Sequence, residues 1–139
     1  MNCPFCNLEH SEVNRVLEER THTVVIFSNP RLMPGHLLVI PKRHVLSLSE
    51  LSAEERSELF DIAIEYQDKI LERISSGCDL KQHNRPFIPQ NDLKIDHVHL
   101  HLQPREWEDE LYSKSQVHDR ALFQKLPQEE ADRIAALLA

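Results

Sequence analysis

His97, His99 and His101 alternate with Val98, Leu100 and Leu102 in a short run that ends at Gln103. Alternate residues of a β-strand share one face. The run therefore predicts three imidazoles on one side, about 6.5–7 Å apart, with the apolar residues turned into a core. Imidazole titrates near neutrality, so it can attack phosphorus when neutral and stabilise anionic oxygens or protonate a leaving group when charged. The residue types and spacing thus suit chemistry at a phosphate. Two other readings use the same residues: a solvated edge-strand face, and a metal site, since His-x-His pairs on strands also ligate zinc.

Cys3-Pro4-Phe5-Cys6 has the spacing of two zinc ligands, although a site needs two more. No thioredoxin-like pattern surrounds it, which argues against redox use. The third cysteine, Cys78, reads as a partly buried, inert thiol. An odd count does not make a disulfide framework. The chain has 139 residues, 40% hydrophobic and 28% charged, which predicts one globular domain. A net charge of -7 argues against coating nucleic acid, but a local pocket of cations can still hold a small anion. No apolar run approaches the length of a membrane span, and the N-terminus lacks the layout of a signal peptide. The expected location is cytoplasmic, with neither nucleic acid nor membrane as partner.

Several elements must position these groups. Arg15 to Glu19, Thr23 to Phe27 and His36 to Ile40 read as strands, separated by a polar turn and by the turn signals Asn29-Pro30 and Pro34-Gly35. Ser52-Ala53-Glu54-Glu55 forms a capping box that opens a helix to about Ser75. Leu59, Ile62, Ala63, Tyr66, Ile70 and Ile74 mark its apolar face, and Gly77 fits a left-handed stop. Residues 78–96 read as irregular. Val98 to Gln103 is the last strand, stopped by Pro104, and Pro127 opens a C-terminal helix. The pattern predicts an α+β fold: an antiparallel sheet of about five strands with one long helix packed on it.

The histidine run resembles the signature of the histidine-triad (HIT) family, in which apolar residues separate the histidines; Gln103 departs from it at the final apolar position. The segment from Phe27 through Pro34-Gly35-His36 to Pro41-Lys42-Arg43-His44 is similar to a second stretch of that family. The resemblance covers about residues 1–105 and leaves 106–139 as a C-terminal extension of a single HIT domain. It implies that His99 is the nucleophile toward an α-phosphorus, forming a nucleotidyl-histidine that water resolves. It implies further that the His97 carbonyl holds the tautomer of His99, that His101 and His36 lie at the phosphate, that Asn29 binds ribose, and that Phe27 walls the base.

Many bacterial members carry the same N-terminal Cys-Pro-Phe-Cys. By that resemblance Cys3, Cys6, His44 and His97 hold a structural zinc, and the protein is a homodimer. The family's glycine-containing phosphate loop is not found: Asp92-Leu93-Lys94 stands in its place, and 84–92 contains no glycine. Without cheap access to positive φ, that loop cannot cradle phosphate with its backbone in the same way. Lys94, Arg85 and Gln90 are the candidate substitutes. The expected function is hydrolysis of a dinucleoside polyphosphate or nucleoside phosphoramidate. The alternatives are a nucleotidyltransferase using the same intermediate, and a zinc-stabilised nucleotide-binding protein with little catalysis.

Overall fold

The computed structural model describes residues 3–10 and 15–139. The chain divides into two compact units, one ending at Trp107 and the other comprising Glu108–Ala139. The first is built on a five-stranded antiparallel sheet: β1 (Val16–Glu19), β2 (Thr23–Phe27), β3 (Leu37–Pro41), β4 (Gly77–Lys81) and β5 (Leu100–Arg105), in spatial order β1-β2-β3-β5-β4. This is the expected α+β class.

The long helix α1 (Ala53–Arg73) starts where the capping box places it. The Glu55 backbone N–H donates to the Ser52 hydroxyl, and the Ser52 N–H donates back to the Glu55 carboxylate at 2.8 Å. Leu59, Ile62, Ala63 and Ile70 are buried against Val25, Leu37, Val39, Leu100 and Leu102 of the sheet. Burying such side chains contributes about 1.5–3 kcal/mol each, so this layer dominates the stability of the sheet. Tyr66 is partly buried beside that core and donates its hydroxyl to Glu18 of β1 at 2.7 Å. Ile74 caps the helix and is exposed, so the apolar face is shorter than its spacing suggests.

Three expectations about boundaries change. Gly77 does not stop the helix in a left-handed conformation; it opens β4, opposite Arg105 of β5. The first part of 78–96 is therefore strand and not irregular chain. Nor does Pro104 stop the last strand: β5 begins at Leu100 and runs through Pro104 to Arg105. Pairing with β3 ends at Leu102, so beside Pro104 only β4 flanks the strand, and a missing N–H is tolerated at such an edge.

Gly35 is left-handed where a turn demands it. Met33, Pro34, Gly35 and His36 form a turn closed by His36 N–H to Met33 carbonyl at 3.2 Å, with φ of 81° at Gly35. Proline at the second position and glycine at the third fit a type II turn. A Cβ on Gly35 would also meet Pro104 Cγ at 3.1 Å. The turn delivers His36 to the mouth of β3.

The second unit contains α2 (Glu110–Lys114), a 3-10 segment (Gln116–Leu122) and α3 (Gln128–Leu138). Pro127 is the N-cap of α3. None of these elements has a fully buried residue. Among the described residues, no helix is long and apolar enough to cross a membrane.

Candidate active site

β5 and the extended residues before it carry the histidines. Val98, Leu100 and Leu102 face α1, as the alternation requires. The Val98 N–H is held by the Val45 carbonyl at 2.8 Å, which keeps the chain extended ahead of the strand. His101 lies opposite Leu38 of β3, so the histidines share their face with Val24, Ile26, Leu38 and Ile40. Cys3 and Phe5 pack onto that second apolar cluster, and the Phe5 ring meets His97 and His99 edge-on, with centroids 5.9 and 5.0 Å apart.

Hydrogen bonds fix the tautomer of each ring. His99 Nδ1 lies 2.7 Å from the His97 carbonyl, which only accepts, so Nδ1 carries the proton and the Nε2 lone pair is free. The Leu32 N–H donates to His36 Nδ1 at 3.1 Å, which puts the His36 proton on Nε2. That proton is donated to His101 Nδ1 at 2.9 Å, leaving Nε2–H of His101 as an outward donor. The relay requires neutral rings, and the surroundings keep them neutral. Burial lowers the His101 pKa to about 3, helped by His99, His36, His83 and Lys81. Burial, with His99 and Lys81, lowers His36 to about 4. Burial also lowers His99, against the opposing bond to the His97 carbonyl.

His97 faces away from this relay. Its Nε2–H donates to the Pro41 carbonyl at 2.7 Å, so its Nδ1 lone pair turns toward Cys3, Cys6 and His44. His97 Nδ1 is 3.1 Å from His44 Nδ1, 3.5 Å from Cys3 Sγ and 3.6 Å from Cys6 Sγ, while Cys6 Sγ is 3.4 Å from His44 Nδ1. A tetrahedral zinc with bonds of about 2.05 Å to nitrogen and 2.3 Å to sulfur needs edges of roughly 3.3–3.8 Å. Two facing Nδ1 atoms beside two thiols therefore fit a metal better than each other, and the Pro41 carbonyl supplies the usual outer contact of a ligating histidine. The His44 turn is tied to α1, because Arg43 grips Glu55 with Nε at 3.1 Å and Nη2 at 2.8 Å. That pair holds the Glu55 carboxyl down at about 2.

A cleft of about 640 Å³ opens beside His99 and His101. Its lining includes Asn29 and His36, as the sequence suggests, together with Phe5, Arg15, Ser28, Leu32, Leu93 and Ile95. Phe27, Lys94, Arg85 and Gln90 are not in that lining. Phe27 pairs with Leu37 and shares the face of Val25, so it points to the helix side of the sheet. It is 44% exposed there. Lys94 is engaged by Asp96, and Gln90 accepts the Asp96 N–H at 3.0 Å, so both organise their own loop. The Asn91 side chain accepts the N–H groups of Leu93 and Lys94 at 2.7 and 2.9 Å, a turn built without glycine.

Sequence reasoning missed Arg15, whose Nε donates to the Phe27 carbonyl at 3.0 Å at the cleft wall. It also missed Ser28, although the parity that excludes Phe27 would have selected it. His83 was missed because no period marks it. Its ring lies against His101, with centroids 5.3 Å apart and planes tilted by 35°.

A family model described as the HIT domain matches residues 10–108. A bifunctional bis(5'-adenosyl)-triphosphatase/adenylylsulfatase, FHIT, of Arabidopsis thaliana is 34% identical over 100 residues, which are 68% of this chain and 54% of that protein. The chain thus spans about half the length of that relative. Adenosine 5'-monophosphoramidase hnt1 of Schizosaccharomyces pombe is 26% identical over 115 residues, 78% of each chain. Among solved structures, a HIT family protein from Bacillus anthracis superposes with a TM-score of 0.71 at 24% identity, over 99% of this chain and 94% of that one. A zinc-bound histidine triad family protein from Mycobacterium smegmatis gives 0.64 at 23%, over 78% of each.

Proposed function

The chain belongs to the HIT domain family, and from that premise we propose that it is a hydrolase acting at the α-phosphorus of a dinucleoside polyphosphate or nucleoside phosphoramidate. The observation that carries the reading is His99. Its Nδ1–H is spent on the His97 carbonyl at 2.7 Å, so its Nε2 lone pair stands ready at the cleft. The activities of the relatives, a bis(5'-adenosyl)-triphosphatase/adenylylsulfatase and an adenosine 5'-monophosphoramidase, support the substrate class.

In the proposed reaction the nucleoside lies in the cleft with its ribose at Asn29 and its base among Phe5, Leu32 and Leu93. His99 Nε2 donates its electron pair to phosphorus, the bond to the leaving group breaks, and that group departs with the bonding electrons. The His101 Nε2–H, aligned by His36 and Leu32, donates to a phosphoryl oxygen or to the departing atom. Water then attacks phosphorus and gives up a proton to solvent, the P–N bond breaks, its electrons return to Nε2, and the nucleotide leaves. Cys3, Cys6, His44 and His97 would hold a zinc whose contribution is structural, cross-linking the N-terminal segment to the sheet. The protein acts as a homodimer in this reading.

Replacing His99 with Ala tests the mechanism. Turnover should fall by at least about 1000-fold, the order seen when a covalent nucleophile is lost. AMP binding, measured by calorimetry, should stay within a few-fold. Acid-quenched wild-type protein should yield a His99 peptide carrying one nucleotidyl group by mass spectrometry. Wild-type turnover by the variant would refute the assignment.

A further inference from the structure

We propose that Lys81, His83 and Arg85 form a leaving-group subsite, across His101 from the nucleoside cleft, that takes a phosphate-bearing leaving group. The inference rests on the hydrolase reading above and specifies which leaving group that site prefers.

The placement follows from register. Lys81 is the last residue of β4 and lies directly opposite His101 of β5. Opposed residues of an antiparallel pair present their side chains on the same face, so Lys81 joins the histidine face. His83, two residues on, confirms the parity by resting its ring on His101, with centroids 5.3 Å apart. His101 also meets His99, two residues back along its own chain, at 4.8 Å. His99 and His83 are therefore both neighbours of His101, the first from its own chain and the second from the β4 side. The nucleoside cleft is lined by His99 and His101 and by none of Lys81, His83 and Arg85. Arg85 follows beyond the end of the strand; burial lowers the His83 pKa, and the charges of Arg85 and Lys81 push it the same way.

The cations are weakly committed. Lys81 Nζ is 3.9 Å from Asp79 Oδ2, and that same carboxylate oxygen is held by Arg105 at 2.7 Å. The Arg85 guanidinium has no acidic partner among the described residues. Two lysine and arginine charges flanking an imidazole, in a chain of net charge -7, make a local basic patch against the overall sign. Neutral His83 adds an N–H donor between them.

The chemistry selects the leaving group. When a P–O bond of a phosphoanhydride breaks, its electron pair stays on the departing phosphate oxygen, and Lys81 and Arg85 stabilise the added negative charge without any proton transfer. When a P–N bond of a phosphoramidate breaks, the departing nitrogen must gain a proton and leaves neutral or cationic, so the same pair gives it nothing. The subsite also supplies phosphate contacts that the glycine-free loop at 84–92 cannot make with its backbone.

The test compares kcat/KM for diadenosine tetraphosphate with kcat/KM for adenosine 5'-phosphoramidate, in wild type and in the Lys81→Met/Arg85→Met double variant. The ratio of the two should fall at least about tenfold in the variant. In parallel, inorganic tripolyphosphate is titrated calorimetrically into both proteins, and its Kd should weaken by at least about tenfold, with circular dichroism showing equal folding. A ratio within twofold of wild type, or tripolyphosphate binding that is absent in wild type or equal in both, overturns the subsite. Wild-type protein that turns over neither nucleotide overturns the hydrolase reading instead, and the tripolyphosphate titration then decides the subsite alone.

Discussion

A histidine is useful in this cleft only in a defined tautomer, and the backbone sets each one. The His97 carbonyl, the Leu32 N–H and the Pro41 carbonyl orient His99, His36 and His97 respectively. Alternation alone located the three ring positions. It could not reveal their division of labour, because the deciding partners are backbone groups that side-chain periodicity does not read: local ones for His99 and His36, and for His97 the Pro41 carbonyl, distant in sequence. Phe27 shows the opposite failure: the period-2 rule was available and would have put it on the helix side. Gln103 is buried with an Oε1 that finds no hydrogen-bond partner among the described residues, a cost at the position where the HIT signature has an apolar residue. The neutral relay makes a pH prediction. His101 titrates near 3 and His36 near 4 when folded, whereas both take a proton near 6.5 when unfolded. Below pH 6.5 the unfolded chain therefore binds more protons, and stability falls as pH drops toward the folded values. Lys81, His83 and His99 face His101 and hold its pKa down, so the effect belongs to the cluster. Urea unfolding between pH 6 and 4.5 should show a steeper loss in wild type than in His101→Asn. The difference should approach one proton, about 1.4 kcal/mol per pH unit. Equal slopes would refute it.

At the scale of elements, the site is a meeting of the N-terminal segment, the turn after β3 and the lead-in to β5. Spacing marked Cys3 and Cys6, the family resemblance added His44 and His97, and the structure gathers the four within 4.8 Å. β4 escaped notice because Gly77-Cys78-Asp79-Leu80-Lys81 mixes weak strand formers and has one exposed apolar residue, so no hydrophobic alternation betrays it. Yet β4 is what sets Lys81 against His101. The N-terminal segment links metal and cleft: Cys3 and Cys6 flank Phe5, whose ring lies against His97 and His99. Metal loss should therefore loosen a wall of the nucleoside cleft as well as destabilise the fold. Treatment with a strong zinc chelator should release about one zinc per chain by elemental analysis. The melting temperature should fall by on the order of 10 °C, corresponding to a few kcal/mol. The nucleotide KM should rise more than kcat falls, since His99 keeps its bond to the His97 carbonyl. Protein purified without metal and stable to chelator would contradict this.

At the scale of the whole molecule, the α+β class and the packing of α1 were legible because capping box, helical period and strand alternation all agreed. Residues 108–139 were less legible, since their polar composition carries little periodicity until α3. The first unit leaves two features that one chain does not satisfy. Among the described residues, β4 is an edge strand hydrogen-bonded only to β5. Phe60, Ile64 and Leu71 expose apolar surface along α1, with Ile64 53% exposed. Open edges and exposed apolar stripes invite association. Both lie on consecutive elements, so a second copy related by a two-fold axis could cover strand edge and helix stripe with the same self-complementary patch. Sedimentation equilibrium at micromolar concentration should give twice the 16.3 kDa chain mass. Ile64→Glu, which places a charge in the proposed contact without touching the sheet core, should shift the protein to monomer while its circular dichroism stays unchanged. A monomeric wild type, or a dimer indifferent to a glutamate at position 64, would place the contact elsewhere or abolish it.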